Sequence, residues 1–153
     1  MSIRDELSDS LKQALRDKNQ VRVSTIRLIL AALKDRDISA REKGNSSGIS
    51  DDEILSLLQS MIKQRKESFT TYSDAGRKDL ADREEAEIEV ITTFLPKQMD
   101  EQEIRSAVDN IIVELGVSDI KEMGKVMNEL KSRYAGQVDM GRASGVVKER
   151  LAG

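Results

Sequence analysis

Seven basic side chains near the C-terminal end of this sequence could do chemistry by binding phosphate groups. Lys121 and Lys125 are four positions apart and would share one face of a helix. Gly124, between these two lysines, lets another backbone approach closely. The candidate site consists of Lys121, Gly124, Lys125, Lys131, Arg133, Arg142, Lys148 and Arg150. A strip of this kind can bind nucleic-acid phosphates in a salt-dependent way. The alternative is an ordinary solvated face, since Glu122 and Glu129 interrupt the strip.

The residue types that are missing narrow the chemistry. The 153 residues include no cysteine and no histidine, so the chain has no thiolate nucleophile and lacks the commonest general base near neutral pH. A Ser–His–Asp or Cys–His catalytic centre cannot be built from this chain alone. Catalysis by Asp, Glu, Lys or Tyr stays open, but the sequence favours no self-contained enzyme, and we predict no catalytic residue, no metal site and no cofactor.

One acidic cluster offers an alternative to that prediction. Glu84, Glu85, Glu87 and Glu89 lie close together in the sequence, and hard cations such as Mg²⁺ prefer oxygen ligands. On a helix, however, only Glu85 and Glu89 share a face. We therefore interpret the cluster as an acidic helix face that packs against the basic segment 63–66.

We predict that helices position these residues. Charged residues make up 35% of the chain and aromatic residues only 3%, a composition that favours helices over strands. The single proline, Pro96, divides the pattern, since proline disfavours helical geometry in the residue before it. We predict an all-α protein with an antiparallel four-helix bundle over residues 1–95 and a three-helix domain over residues 97–153. Ser50 with Glu53 predicts a capping box, Asp100 with Glu103 predicts another, and Ser118 or Asp119 is expected to cap the sixth helix.

The second predicted helix, from about Val21 to Glu42, has an unusually broad apolar face. Its own domain or a second copy of the chain would have to cover that face. Arg27 lies within the apolar stretch, and a buried arginine there would need an acidic partner such as Glu84, Glu85 or Glu87. A snorkelling side chain and an anion site are the alternatives for Arg27.

Charge and hydropathy bear on partners and compartment. The net charge is −3, so no basic field extends over the whole chain and we expect no DNA partner. The longest apolar run, from Leu28 to Leu33, is six residues, against the roughly 20 that a membrane-spanning helix needs. The first residues lack the apolar region of a secretory signal. We therefore expect a cytoplasmic protein with no membrane association.

Four segments in a fixed order resemble the YqeY-like proteins, the free-standing members of the GatB/YqeY family. The resemblance extends over essentially the whole chain, and the segments that carry it are 25–34, 94–99, 119–127 and 135–148. It implies a C-terminal domain similar to the tail domain of the B subunit of the glutamine-dependent tRNA amidotransferase. That tail domain helps to hold the tRNA, so the resemblance implies tRNA as the ligand of the basic strip.

The resemblance also implies partners, namely an amidotransferase or an aminoacyl-tRNA synthetase. A carbon–nitrogen ligase activity with glutamine as amido-N-donor is implied by the resemblance alone, because the catalytic cradle domain of the amidotransferase has no counterpart here. A protein-interaction adaptor is the second hypothesis. Met123, Met127 and Met140 could line an adaptable docking surface, although methionines at such spacing also serve to fill a core.

Overall fold

A computed structural model describes residues 2–152, and all regular structure in this range is helical, which confirms the predicted fold class. A 3₁₀ turn at Ile120–Glu122 precedes α6. The α-helices are α1 (Ile3–Arg16), α2 (Gln20–Glu42), α3 (Asp51–Asp74), α4 (Lys78–Thr92), α5 (Glu101–Leu115), α6 (Met123–Arg133) and α7 (Met140–Ala152). None of the helices in the described range is long and apolar enough to cross a membrane.

The chain divides between Leu95 and Pro96 into two compact units, which we call the N-terminal unit and the C-terminal unit. In the N-terminal unit, α2 contacts α1, α3 and α4, and α3 also packs along α4. The centre of this unit is a fully buried set of aliphatic side chains, with Leu7, Ile26, Ile29, Ile54, Leu58 and Ile91 all at 0% exposure. Burial of these side chains is the main favourable contribution to its folding.

Local capping determines where α3 begins. The Ser50 hydroxyl accepts a hydrogen bond from the Glu53 backbone N–H at 3.2 Å, and the Glu53 carboxylate accepts one from the Ser50 N–H at 3.2 Å. This reciprocal pair is the predicted capping box. It satisfies two backbone groups that would otherwise lack partners at the helix start.

An ion pair joins three segments of the N-terminal unit. Arg4 near the start of α1 donates two hydrogen bonds of 2.8 Å to the Asp37 carboxylate on α2. Arg4 also donates to the Ile49 carbonyl oxygen at 3.0 Å, and the Ile49 N–H donates to Asp37 at 2.9 Å. Gly48 lies against this pair in the left-handed region, with φ +86°. We call this arrangement the Arg4–Asp37 clasp.

The C-terminal unit is built from α5, α6 and α7, each of which contacts the other two. Its core contains Ile104, Val108, Ile111, Val126, Leu130 and Val147, all at 0% exposure. The second predicted capping box is present at Asp100 and Glu103. Gly116 ends α5 with φ 65°, a left-handed conformation that glycine adopts without steric penalty.

The start of α6 differs from the prediction. Asp119 does act as a cap, since its carboxylate accepts a hydrogen bond from the Lys121 N–H at 2.9 Å. The element that it caps is the 3₁₀ turn, which is closed by a Glu122 N–H to Asp119 carbonyl bond of 2.9 Å. The α-helix itself begins at Met123. Before that residue the backbone hydrogen bonds join residues three positions apart, as in a 3₁₀ helix, and after it they join residues four positions apart.

The residues that follow Pro96 are tied to the loop between α6 and α7. The Met99 N–H donates to the Gln137 carbonyl at 2.8 Å, and the Gln98 side-chain amide donates to the Gly136 carbonyl at 2.6 Å. Two of the segments on which the resemblance was based, 94–99 and 135–148, therefore meet through hydrogen bonds within the C-terminal unit.

Candidate nucleic-acid interface

The candidate phosphate-binding residues all lie on the surface of the C-terminal unit. Lys121 belongs to the 3₁₀ turn, and the others are distributed over two helices that contact each other. Each is classed as exposed, with Gly124, Lys125, Lys131 and Arg133 on α6, and Arg142, Lys148 and Arg150 on α7.

Carboxylates of the same unit neutralise three of these cations. Lys125 lies 3.5 Å from Glu122, and Arg150 lies 2.9 Å from Asp109 on α5. Arg133 is paired with two carboxylates, Glu114 at 2.5 Å and Glu129 at 2.8 Å. These hydrogen bonds, above all the one to Glu114, raise the pKa of the Arg133 guanidinium. The positive charge of these three residues is therefore largely compensated by carboxylates of the protein itself.

The other four cations have no ion-pair partner among residues 2–152, and these are Lys121, Lys131, Arg142 and Lys148. Gly124 and Lys131 are seven residues apart on α6, so they project from nearly the same side of the helix, about 20° apart. Arg142 and Lys148 are six residues apart on α7 and project in directions that differ by about 120°. The unneutralised charge is thus divided between the 3₁₀ turn, α6 and two sides of α7.

The surface at Gly124 is open. A Cβ atom built at this position would have no heavy atom within 4 Å, so no part of the described chain covers the backbone there. A phosphate or another backbone therefore has space to approach this part of α6.

The methionines of the adaptor hypothesis face inward. Met123, Met127 and Met140 are partly buried and pack against the core of the C-terminal unit. They therefore contribute to the core, and only part of each side chain remains available to the adaptable kind of surface that promiscuous binding proteins use.

The acidic cluster on α4 does not converge on one point. Glu87 is buried, Glu85 and Glu89 are exposed, and no group of three acidic side chains within residues 2–152 is placed to hold a metal ion. Glu87 instead accepts a hydrogen bond from Arg65 at 2.9 Å. This pair connects the acidic α4 to the basic segment of α3, as the complementary charges of the two helices predicted.

Of the two structural interpretations of Arg27, the buried ion pair is wrong, whereas a snorkelling side chain agrees with its exposure. Arg27 is exposed, and no ion pair joins it to another residue of the described chain. The arginine that binds Glu87 is Arg65, whose side chain is only 15% exposed. The sequence pattern could not identify it, because Arg65 lies within a run of polar residues whereas Arg27 lies within an apolar one.

Comparison with known proteins identifies a family. A family model described as "Yqey-like protein" matches residues 4–151. Similar curated proteins bear the name "Altered inheritance of mitochondria protein 41, mitochondrial". The protein from Lachancea thermotolerans is 34% identical over 111 residues, which cover 71% of this chain and 57% of the relative. The protein from Vanderwaltozyma polyspora is 31% identical over 111 residues, which cover 71% and 58%.

A third relative of the same name, from Clavispora lusitaniae, is 28% identical over 149 residues, covering 95% of this chain and 82% of the relative. The matched part of the chain thus spans less than two thirds of the first two relatives and most of the third. The name of all three describes mitochondrial proteins.

These relatives contradict the prediction of a cytoplasmic protein. That prediction was based on the lack of an apolar leader and of a membrane span. Those criteria detect secretory signals and transmembrane helices, whereas mitochondrial targeting segments are amphipathic and rich in arginine. The criteria therefore could not separate a cytoplasmic protein from a mitochondrial one.

Proposed function

The chain belongs to the YqeY-like family, and on that premise we propose that its C-terminal unit binds folded RNA, with tRNA as the first candidate. The observation that carries the proposal is the set of four exposed cations without ion-pair partners in the described chain, one of which, Lys131, shares the open side of α6 with Gly124. The chain would act as an accessory protein that presents tRNA to an amidotransferase or an aminoacyl-tRNA synthetase.

Recognition of this kind would depend on phosphate positions and not on bases. The chain has no tryptophan, two tyrosines and two phenylalanines, which gives few surfaces on which unpaired bases could stack. Structured RNA is recognised mainly through its shape and its backbone, and the cations of α6 and α7 suit that mode. Because the whole chain is acidic, with a net charge of −3, binding would depend on these local positive groups.

The salt dependence of binding tests the electrostatic part of the proposal. Four phosphate contacts predict that affinity falls with a log–log slope of about −3 in monovalent salt. Purified protein is titrated with total tRNA at about 50 and about 200 mM salt, and the affinity is expected to fall by about 60-fold between the two. A DNA duplex of similar length serves as the control and is expected to bind more weakly. No tRNA binding at the lower salt concentration would contradict the proposal.

Charge reversal locates the site. Lys121→Glu combined with Lys131→Glu is expected to weaken tRNA binding by at least about tenfold, since each removes a phosphate contact and adds a repulsion. The matched control is Lys63→Glu with Lys66→Glu, two exposed lysines of α3 that change the net charge by the same amount. Equal effects of the two double variants would show that total charge, and not this surface, determines binding.

A third variant should act in the opposite direction. Glu114→Gln with Glu129→Gln releases Arg133 from both of its carboxylate partners. If α6 faces the RNA, the released guanidinium adds a phosphate contact, so tRNA affinity is expected to increase and the salt slope to become steeper by about one unit. Unchanged binding would place Arg133 outside the interface. Circular dichroism of each variant monitors whether the helices remain intact.

A further inference from the structure

The N-terminal unit contains an open groove along α2 that the proposed RNA site does not involve. Two leucines contribute to its floor although they remain well exposed, Leu15 by 49% and Leu28 by 43%. The wider part of the groove has a volume of about 620 Å³. The broad apolar face of α2 that the sequence predicted is therefore left partly uncovered by its own unit.

One side of α2 forms the floor of the wider part of the groove. The residues that line the wider part are Gln20, Val23, Ser24, Arg27 and Leu28, which are spaced by three and four and so form a single helical stripe. Leu15 and Lys18, from α1 and the residues just after it, and Arg83 from α4 complete the walls.

A second depression lies between α2 and α3, on a side of α2 about 100° around the helix axis from the wider part. It has a volume of about 350 Å³, shares Leu28 with the first, and extends past Ala32 and Leu57 to Arg36. From Gln20 to Leu28 the stripe that lines the wider part is about 12 Å long at 1.5 Å per residue. This length equals that of a helical segment of about eight residues, or two to three turns.

The wider part of the groove is cationic. Lys18, Arg27 and Arg83 line it, and no carboxylate does, in a chain whose net charge is −3. Lys18 and Arg27 have no ion-pair partner within residues 2–152. Arg83 lies 3.6 Å from Glu87, but Glu87 is held more closely by Arg65, and the Arg83 side chain is 74% exposed. The three cations are therefore available to a ligand.

We propose that this groove binds an acidic amphipathic helix of a partner protein. The apolar floor would accept leucine-type side chains at spacings of three and four, as in other helix-in-groove complexes. The three cations would pair with carboxylates along the edges of that helix, which provides complementary charge and fast association. A small molecule fits less well, because ligand pockets enclose most of the ligand surface whereas the leucines of this floor remain exposed.

A synthetic peptide tests the proposal directly. The probe is a labelled peptide of about 16 residues, long enough to form a helix that covers the wider part of the groove, with leucines at spacings of three and four and glutamates on both flanks. Binding to the full chain is followed by fluorescence anisotropy. The acidic peptide is expected to bind at least about tenfold more tightly than the same peptide with lysine in place of each glutamate, and than a scrambled peptide of identical composition. Equal binding of the three peptides, or no binding, overturns the proposal.

Variants on α2 locate the binding surface. Arg27→Glu and Leu28→Asp are each expected to weaken binding of the acidic peptide by about tenfold or more. The matched controls are Lys34→Glu and Ile38→Asp, exposed residues of the same helix outside the groove lining, and these are expected to change binding by less than about twofold. Control variants that weaken binding as strongly would show that the peptide binds elsewhere.

Two other occupants are distinguished in the same experiments. If the groove is an interface between two copies of the chain, sedimentation shows a dimer that Leu28→Asp dissociates. If it is an RNA site, Arg27→Glu weakens tRNA binding and tRNA displaces the peptide. Either result overturns the proposal, whereas a monomer whose tRNA binding is unaffected by Arg27→Glu supports it.

Discussion

Arg65 of α3 donates a hydrogen bond to Glu87 of α4 at 2.9 Å, and the two side chains are only 15% and 11% exposed. Arg65 also donates to the Met61 carbonyl at 3.1 Å. The second oxygen of Glu87 lies 3.6 Å from Arg83. The pair is therefore nearly buried, and its charges depend on each other for compensation.

Breaking this pair is expected to destabilise the protein. Glu87→Gln leaves the Arg65 guanidinium in a mostly buried place without its counter-charge, and we expect the free energy of unfolding to fall by about 2–3 kcal/mol. Urea unfolding followed by circular dichroism measures the change. Glu89→Gln, an exposed neighbour on α4, is the control and is expected to have little effect. Arg65→Met with Glu87→Leu should recover most of the stability, because no unpaired charge remains.

Replacement of Gly48 tests the Arg4–Asp37 clasp. A Cβ at Gly48 would lie 2.8 Å from both Arg4 Nη2 and Asp37 Oδ1, so Gly48→Ala must displace at least one partner. Gly44 has a similar φ of +94° but nothing within 4 Å of an added Cβ. Gly44→Ala therefore introduces backbone strain alone, of about 1 kcal/mol. We expect Gly48→Ala to lower the free energy of unfolding by about 1–2 kcal/mol more than Gly44→Ala does. Equal losses of stability in the two variants would contradict this role of the clasp.

The same clasp makes stability depend on pH in the acid range. The hydrogen bond from Arg4 lowers the pKa of Asp37 from 3.8 to about 2, with a further contribution from the Ile49 N–H. A carboxyl whose pKa is lower in the folded state stabilises the fold above its unfolded pKa and ceases to do so as pH falls through the folded value. The stabilisation by Asp37 should therefore be complete above about pH 5 and be lost towards pH 2.

Asp37→Asn measures that contribution. At pH 6 the free energy of unfolding of the variant, measured with urea, is expected to be about 1 kcal/mol lower than that of the natural chain. The difference is this small because Arg4 is partly exposed. The difference should shrink progressively between about pH 4 and pH 2. The chain has no histidine, so no side chain with an ordinary pKa near neutrality complicates the comparison. A difference that stays constant down to pH 2 would mean that Asp37 acts by packing alone.

Gly145 is expected to limit the stability of α7. It lies in the middle of this helix, and an added Cβ would meet nothing within 4 Å. Gly145→Ala should therefore stabilise the protein by about 0.5–1 kcal/mol. Amide hydrogen exchange along α7 should slow in the variant, whereas exchange in the N-terminal unit should not change. Faster exchange in α7 would indicate that the glycine is required for packing.

Local signals in the sequence predicted much of the secondary structure. The capping boxes at Ser50 and Asp100 and the helix end at Gly116 depend on residues within three or four positions of each other, and all three are present. The start of α6 was missed because Asp119 can cap a 3₁₀ turn as well as an α-helix. In both cases the same side-chain oxygen accepts the same kind of bond, so the cap alone does not distinguish them.

Tertiary relationships were harder to predict. The sequence placed Lys121 and Lys131 on the surface but could not reveal that Glu114, nineteen positions before Arg133, holds that arginine. It also could not assign Arg65 to Glu87, since the helical pattern fixes which face a residue occupies but not which helix lies opposite. For the groove on α2, the sequence predicts only that the apolar face of this helix is broader than packing against one neighbouring helix requires.

The Arg4–Asp37 clasp has a consequence for the order in which the chain acquires structure. Arg4 lies 33 residues before Asp37 and 45 before Ile49, so the bonds that fix the first helix can form only after about a third of the chain has left the ribosome. Helices as short as α1 are marginal in isolation. The first helix is therefore expected to remain a fluctuating segment early in synthesis, stabilised first by packing against the second helix and fully only when Ile49 has emerged.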